Sequence, residues 1–266
     1  MAEQDIVVVH SSDLHLDVPY VAEPDHDLLW PIRTVLRTAQ AVGADVVLLA
    51  GDVFDHVRQP LSLIDDTARV IADSKLQVVI LPGNHDPLTP DSVYRRGGLA
   101  DPANVKVIGL TEEQALLFPA LDLEIWGHAH RDYYDMSPLR DPRPRSTRWQ
   151  IAAAHGHFEP GPLDPDRLYG SWLIQPHEIA ATGADYVALG HWNRAVQVSD
   201  GPVPAYYSGS PDLAKTVNVV RLRPDGTVQV HREPIREAEE ELFLDGATAR
   251  PGAPLQEAEE LLWLGG

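Results

Sequence analysis

Five short motifs in this chain carry side chains that can bind metal ions or transfer protons. In chain order they are Asp13-Leu14-His15, Gly51 to Asp55, Gly83 to Asp86, His155-Gly156-His157 and His191-Trp192-Asn193. Carboxylate, imidazole and amide groups bind divalent cations, and an imidazole with a pKa near 6.5 also serves as a general acid near neutral pH. One such motif alone is typical of an ordinary turn, so its meaning depends on whether the motifs meet in the fold.

Each motif follows an apolar run that reads as a buried strand. The first three runs alternate with helical patterns: strands at 6–12, 45–50 and 77–81, and helices at 28–43 and 61–72. A β-α-β-α-β order predicts parallel strands with right-handed crossovers, so their carboxyl ends lie along one edge of a sheet. We therefore expect the first three motifs to converge. If the chain stays extended across Leu14, Asp13 and His15 also point the same way.

The second half repeats this organisation. Further strands are predicted at 105–108, 123–126, 149–154 and 185–189, with a helix at 176–182. Residues 195–235 alternate and contain turn pairs, which predicts antiparallel strands that close a second sheet. We expect a single α/β domain, residues 1–235, with two packed mixed sheets flanked by helices in four α-β-β-α layers. Residues 236–266 are expected to form an acidic tail or a short helix packed on that domain, with no separate capping domain.

The stretch 131–148 holds five arginines and several prolines in an otherwise acidic chain, and its composition predicts a loop. Two interpretations stay open for these cations. They could contact a substrate phosphate, or they could form an ordinary solvated surface loop.

Composition limits the chemistry of the site. The chain has 266 residues, no cysteine and a net charge of −19, so a metal must be held by oxygen and imidazole ligands. The acidic surface disfavours broad binding of duplex DNA, although bound cations would reverse the charge locally. No apolar run is long enough to span a membrane, and the acidic N-terminus lacks the apolar core of an export signal. We predict a cytoplasmic protein with no membrane partner.

Together the motifs D-x-H, GD-x-x-D, GNHD, HGH and GHWN resemble those of the calcineurin-like metallophosphoesterase superfamily. The opening VVHSSDLHLD, the segment GDVFD and the segment YSGSP at 207–211 are similar to the SbcD-type DNA repair exonuclease branch. The resemblance covers about residues 6–220. It implies the four-layer metallophosphoesterase sandwich and two divalent metal ions, with Mn²⁺ favoured over Fe or Zn²⁺.

The resemblance also implies a role for each motif residue. The ligands of the first metal would be Asp13, His15 and Asp52, with Asp52 bridging to a second metal held by Asn84, His155 and His191. His85 would not be a ligand but the acid that protonates the leaving oxygen. Asn193 stands where the family usually has a histidine ligand of the first metal, so it would be a weaker one. Supporting roles near the substrate fall to Asp55, His56, Asp86 and His157. The His128 and His130 pair is expected near the cleft rim.

These roles predict a metal-dependent phosphodiester hydrolase, a DNA exonuclease or endonuclease-like enzyme that uses a hydroxide activated by two metals. Two alternatives are a phosphoesterase for small nucleotides or other organic phosphodiesters and monoesters, and a weakened metal-binding regulatory module. The expected partner is DNA or a nucleotide. The chain ends soon after the predicted core and lacks the extension with which the longer nucleases engage an ATPase, so an SbcC-type ATPase partner and a homodimer both stay open.

Overall fold

The computed structural model describes residues 4–17, 27–164 and 166–237. The predicted tail lies outside the described residues from 238 onward, and the division at residue 235 stays a prediction. Within the described part no helix is long and apolar enough to cross a membrane.

The described chain contains fourteen strands, four α-helices and one short 3₁₀ helix at Pro119–Leu121. The strands are β1 Ile6–Ser11, β2 Val46–Ala50, β3 Gln77–Leu81, β4 Val105–Val107, β5 Ala115–Phe118, β6 Leu123–Gly127, β7 Trp149–His155, β8 His157–Phe158, β9 Leu173–Ile174, β10 Tyr186–Gly190, β11 Val196–Ser199, β12 Ala205–Tyr207, β13 Thr216–Leu222 and β14 Val228–Pro234. The helices are α1 Trp30–Ala41, α2 Leu61–Ser74, α3 Pro176–Thr182 and α4 Pro211–Ala214.

The first sheet has the strand order β14-β13-β1-β2-β3-β4. Its strands β1 to β4 are parallel, and α1 and α2 form the crossovers between β1, β2 and β3. Each helix buries one apolar face in the main core, through Ile32 and Val35 in α1 and through Ile64 and Ile71 in α2. The predicted β-α-β-α-β unit is confirmed, so the residues after β1, β2 and β3 reach the same edge.

The second sheet has the order β11-β12-β10-β7-β6-β5. The four central strands β6, β7, β10 and β12 are parallel, while β5 and β11 add antiparallel edges. Alternate residues of β7 face opposite layers: Ile151 and Ala153 join the main core with the first sheet, whereas Ala152 and Ala154 join a smaller core with α3. This mixed two-sheet architecture with flanking helices confirms the predicted fold class.

One part of the strand prediction is wrong. Of the residues 195–235 expected to close the second sheet, only β11 and β12 do so. The hairpin β13–β14 instead pairs antiparallel with β1, from Ile6↔Leu222 to His10↔Asn218, and extends the first sheet. Alternation predicts strands but not which sheet they join, because pairing between strands far apart in sequence depends on packing and not on local pattern.

The arginine-rich stretch 131–148 is a loop, and its cations serve the fold. Arg143 pairs with Glu124, a fully buried carboxylate at the beginning of β6. Arg145 lies 2.6 Å from Asp185, directly before β10. Both carboxylates lie at the amino ends of their strands, opposite the edge that carries the five motifs. The structure therefore favours the structural interpretation for these two arginines.

Candidate metal centre

Two groups of side chains at the carboxyl edge bring possible metal-ligating atoms within 4.8 Å of one another. The inner cluster is Asp52, His155 and His191, and the outer cluster is His15, Asp52 and His85. Asp52 follows β2 of the first sheet, whereas His155 ends β7 and His191 follows β10 of the second. The two clusters thus share a single carboxylate, and the inner one is assembled across both sheets.

The backbone at this edge is unusual. Four of the predicted ligands adopt left-handed conformations, with φ of 55° at Asp13, 47° at His15, 53° at Asp52 and 104° at His191. Such conformations are uncommon for residues other than glycine and concentrate at functional sites. They also correct one detail of the prediction. Asp13 and His15 do approach each other, to 4.0 Å between Oδ1 and Nε2, but through a left-handed turn and not through an extended chain.

Two glycines allow the sheets to approach closely at this edge. A Cβ atom on Gly51 would lie 2.0 Å from Nδ1 of His155, and one on Gly83 would lie 2.1 Å from Oδ1 of Asp52. Gly51 also has a φ of +96°, which other residues rarely adopt. These two positions leave the space in which His155 and Asp52 meet.

Asp52 and His155 form a buried ion pair, with Oδ2 and Nε2 3.0 Å apart. Burial opposes charge on both groups, but their mutual attraction outweighs it. The attraction between the two groups raises the pKa of His155 to about 9 and holds the pKa of Asp52 well below its usual range. Oδ1 of Asp52 accepts a hydrogen bond from the backbone N–H of His85, at 2.9 Å. The bridging candidate is therefore an ionised carboxylate fixed on both oxygens.

The ring orientation of His155 suits a metal ligand. Its Nδ1 donates to the backbone carbonyl of Ala50 at 2.9 Å, and a carbonyl can only accept, so the other nitrogen, Nε2, is the one available to a cation. Oδ1 of Asn84 lies 3.0 Å from this Nε2 and 3.1 Å from Nδ1 of His191. Burial, followed by the charge of His155, lowers the pKa of His191 to about 4, so its ring is neutral.

Asp13 is almost fully buried, with 2% of its surface exposed. Its carboxylate accepts hydrogen bonds from Ser12 and from the backbone N–H of His191, the latter at 3.0 and 3.1 Å. Burial raises the pKa of Asp13, and the nearby Asp52 carboxylate adds to this effect against the charge of His155. Asp13 thus connects the first sheet to the segment that presents His191.

The outer cluster is held by Asp55. Its Oδ1 accepts from Nδ1 of His15 at 3.0 Å, and its backbone carbonyl accepts from Nδ1 of His85 at 2.8 Å. Both rings therefore keep Nε2 free for a ligand or a substrate. The rings of His15 and His85 meet edge to face, with centroids 4.8 Å apart.

Asp86 supports the loop that carries Asn84 and His85. Its carboxylate accepts from the backbone N–H groups of Gly83 and Phe54, at 2.8 and 3.0 Å, and from the hydroxyl of Tyr94 at 2.6 Å. Burial and the charge of Asp52 raise the pKa of Asp86 to about 6. It contacts neither cluster directly and acts on the turn.

Three other predicted residues lie at the margin of the centre. The side chain of Asn193 is exposed and forms no hydrogen bond with the described residues, while its backbone carbonyl accepts from Ser210 N at 3.2 Å. His56 is exposed and faces Asp17, at 3.3 Å, away from both clusters. His157 begins β8, and its ring centroid lies 6.4 Å from that of His191.

His130 is a residue whose place the sequence did not indicate. The prediction of a rim position for His128 and His130 is wrong, because they are only 7% and 1% exposed. Nε2 of His130 donates to the carbonyl of His155 at 2.9 Å, and the two rings lie edge to face. Trp172 packs against the rings of His130 and His191. His130 and Trp172 thus support the inner cluster from the side away from the site. In the sequence only the GHAH motif, which contains His130, drew attention to one of the two.

The donor set fits a pair of divalent cations. It combines buried carboxylates with imidazole and amide groups, and His15 and His155 are each oriented by an acceptor on the far ring nitrogen, as metal-binding histidines are. Such mixed oxygen and nitrogen ligands suit first-row metals such as Mn²⁺, Fe and Zn²⁺.

Known proteins are similar to this chain in sequence. It is 25% identical over 265 residues to the SbcD component of the nuclease SbcCD of Bacillus subtilis, a match that covers 82% of this chain and 66% of the relative. It is 24% identical to the DNA double-strand break repair protein Mre11 of Aeropyrum pernix, over 80% of this chain and 55% of the relative. The chain spans about half to two thirds of the length of these relatives.

Solved structures show the same architecture at lower identity. A Staphylococcus aureus structure assigned provisionally as a 5′-nucleotidase superposes with a TM-score of 0.62 at 14% identity, covering 89% of this chain and 55% of that one. TT1561 of Thermus thermophilus superposes with a TM-score of 0.54 at 12% identity, covering 86% of this chain and 99% of that one. A model of calcineurin-like phosphoesterases matches residues 6–194, well over half of the sequence, and the chain therefore belongs to the calcineurin-like phosphoesterase family.

Proposed function

We propose that this metal-dependent phosphoester hydrolase is a two-metal phosphodiesterase of the nuclease type. The observation that carries the proposal is the sharing of Asp52 by two clusters of ligating groups. One carboxylate with two oxygens can hold two cations close together. A centre of this kind stabilises both the attacking and the leaving oxygen of a phosphoryl group.

The proposed ligand sets differ from the two clusters at one residue each: Asn84 is added to the inner one, and Asp13 takes the place of His85 in the outer one. The inner ion would take Asn84, His155 and His191 together with Asp52, and the outer ion would take Asp13, His15 and Asp52. Asn193 is proposed as a weak additional ligand of the outer ion. Two bound ions, most suitably Mn²⁺, would supply Lewis acidity and would lower the pKa of a water molecule enough to give a hydroxide nucleophile near neutral pH.

His85 is proposed as the general acid. Because its Nδ1 donates to the carbonyl of Asp55, the proton available for transfer is the one on Nε2. After that proton passes to the leaving oxygen, the ring is left neutral with its remaining proton on Nδ1, where the same carbonyl holds it. The side chain is 43% exposed, so an incoming phosphate ester can reach it.

The substrate is proposed to be DNA or another nucleotide chain, since the similar proteins are named as a nuclease component and a DNA break repair protein. Because the first of these is named as one part of a larger nuclease, a second protein is a proposed partner. One observation favours a different substrate. The chain has a net charge of −19, whereas proteins that bind duplex DNA over a broad face present a cationic surface. Small nucleotides and other organic phosphates are therefore the second candidate class of substrate.

The test compares leaving groups in the protein loaded with Mn²⁺. Bis(p-nitrophenyl) phosphate releases a phenolate that needs little protonation, whereas the dinucleotide TpT releases an alkoxide that needs it. In His85→Ala we expect kcat on TpT to fall by about 10²- to 10⁴-fold, the usual contribution of a general acid. The loss on the nitrophenyl ester should be far smaller, and metal content should stay at two equivalents.

His177→Ala is the matched control, because His177 is an exposed histidine on α3 that belongs to neither cluster. An equal loss on both substrates in His85→Ala would contradict the role of acid. Absence of any phosphodiester hydrolysis with two bound metals would overturn the function itself. Comparing single-stranded DNA, duplex DNA and cyclic nucleotides in the same assay separates the two candidate substrates.

A further inference from the structure

A groove of about 660 Å³ opens directly beside the inner cluster. Its walls include His191, which follows β10, and His157, which begins β8 of a separate two-stranded sheet with β9, together with Arg194 and Arg232. The volume lies within the range of pockets that take small ligands, about 300–1,000 Å³. Because His191 belongs to both the inner cluster and the groove, the groove borders the candidate metal centre.

The charge of this groove differs from that of the whole protein. The sequence contains 40 acidic residues against 21 lysines and arginines. Even so, the described residues that line the groove include two arginines and two histidines but no carboxylate. An anion that is repelled by most of the surface would find local attraction here.

The two arginines keep their charge available. Arg194 has its guanidinium carbon 5.2 Å from the ring centroid of Trp192, and Arg232 donates to the backbone carbonyl of Ala195 at 2.6 Å. Neither arginine forms an ion pair within the described residues. This contrasts with Arg143 and Arg145 at the other end of the sheet, whose charges are taken up by Glu124 and Asp185.

Trp192 fixes the position of Arg194 relative to the centre. One face of its ring stacks on Tyr207, with centroids 4.4 Å apart and an angle of 10° between the planes. Its Nε1–H donates to Nδ1 of His157 at 3.1 Å. Trp192 directly follows His191 in the chain, so the anchored indole holds the guanidinium at a set distance from the inner cluster.

We propose that Arg194 and Arg232 bind a second phosphate of the substrate, next to the phosphodiester that is cleaved at the centre. Guanidinium groups are suited to phosphate because they donate several charge-assisted hydrogen bonds in one plane. The groove thus selects nucleotide chains with a flanking phosphate over esters with a single phosphate. This inference rests on the proposed phosphodiesterase function.

The test uses three dinucleotides that differ only in an added terminal phosphate: TpT, pTpT and TpTp. With the wild-type protein and Mn²⁺ we expect one of the two phosphorylated forms to exceed TpT in kcat/KM by at least about tenfold. The form that gains identifies the side of the cleaved bond on which the groove lies. In R194A/R232A this advantage should fall by about tenfold or more.

The matched control is R37A/R69A, which removes the same charge from the outer helices α1 and α2 and should keep the full advantage. Salt provides a second readout, since each phosphate contact displaces counterions. The kcat/KM of the preferred dinucleotide should fall less steeply with salt in R194A/R232A than in the wild type.

The outcomes separate this inference from the function on which it rests. Equal kcat/KM for the three dinucleotides, or an advantage that survives in R194A/R232A, overturns the second phosphate site. Cleavage of bis(p-nitrophenyl) phosphate without cleavage of any dinucleotide also overturns the second phosphate site, but it agrees with the proposed phosphodiesterase activity. Failure to cleave any of the four esters overturns the proposed function.

Discussion

The inner and outer clusters share Asp52 but are held in different ways. In the inner cluster His155 is fully buried, pairs with Asp52 and donates to a strand carbonyl of the opposite sheet. In the outer cluster His15 and His85 are 29% and 43% exposed, and both depend on one loop residue, Asp55. The fold thus fixes the inner ligands through its core, whereas it fixes the outer ligands through a surface loop.

This difference predicts which of the two clusters binds a metal ion more tightly. Ligands that are already oriented lose little conformational freedom when a cation binds, so the inner cluster should bind first and more tightly. The outer cluster also lacks the histidine expected at position 193, where the structure has an exposed asparagine. We expect the two ions to differ in affinity for both reasons.

The largest effect is expected from Asp52→Asn, which removes the shared charge and breaks both clusters. Lewis-acid catalysis contributes several kcal/mol, so kcat/KM for a phosphodiester should fall by about a thousandfold or more. Metal content should fall from two equivalents to one or none, as measured by elemental analysis. Asp122→Asn is the control, because Asp122 is an aspartate with a similar left-handed φ of 46° away from the centre. Two retained metals in Asp52→Asn would contradict the shared ligand.

His155→Ala and His15→Ala compare the two clusters directly in the metal-free protein. Removing His155 leaves the buried Asp52 charge unpaired, which should cost about 3–5 kcal/mol of unfolding free energy. Removing His15 should cost about 1 kcal/mol or less, since its partner Asp55 is 42% exposed and solvent screens that pair. Urea unfolding measures both values, and equal losses would show that the clusters are anchored alike.

Asn193→His should narrow the difference between the clusters. An imidazole at this position would strengthen binding of the weaker Mn²⁺ by about tenfold, as competition with a chelator would measure. Gln197→His adds the same group to an exposed position on β11 and should leave both affinities unchanged. If Asn193→His also leaves them unchanged, position 193 is too far from the outer cluster to supply a ligand.

The effect that is smallest at neutral pH concerns the contact between the two sheets beneath the inner cluster, where Nδ1 of His10 lies 2.9 Å from the hydroxyl of Tyr186. Burial lowers the pKa of His10 to about 3, below its unfolded value near 6.5. The unfolded chain therefore binds more protons between these pH values, and stability falls as pH falls from about 6.5 toward 3. In His10→Gln the slope of unfolding free energy against pH should be shallower there by up to about 1.4 kcal/mol per unit. An unchanged slope would show that His10 is not the acid-sensitive group.

The sequence was a good guide to the strands and to the edge that they share. Apolar runs ending in polar motifs predicted β1, β2, β3, β7 and β10, because buried parallel strands leave a strong apolar signal. The apolar signal identifies single strands but not their pairing partners. It did not reveal that β13 pairs with β1, since strand pairing over a long sequence separation depends on packing and not on local pattern.

The supporting residues of the centre were harder to predict. His130 and Trp172 contact the inner cluster from a loop and from the segment directly before β9, and only the GHAH motif around His130 drew attention to either of them. The roles assigned to the metal ligands and to His85 stay predictions. What the structure adds is their proximity, which rests on left-handed turns that no periodic pattern encodes.

The left-handed backbone at Asp13 and Asp52 has a practical consequence for capturing substrate. Asparagine and aspartate tolerate this conformation better than most residues, and the two side chains are nearly the same size. An amide at either position removes ligand charge while it keeps the turn, whereas a β-branched residue would strain the backbone as well. Asp13→Asn, which leaves the inner cluster intact, is therefore the substitution of choice for an inactive protein intended to hold an intact phosphodiester.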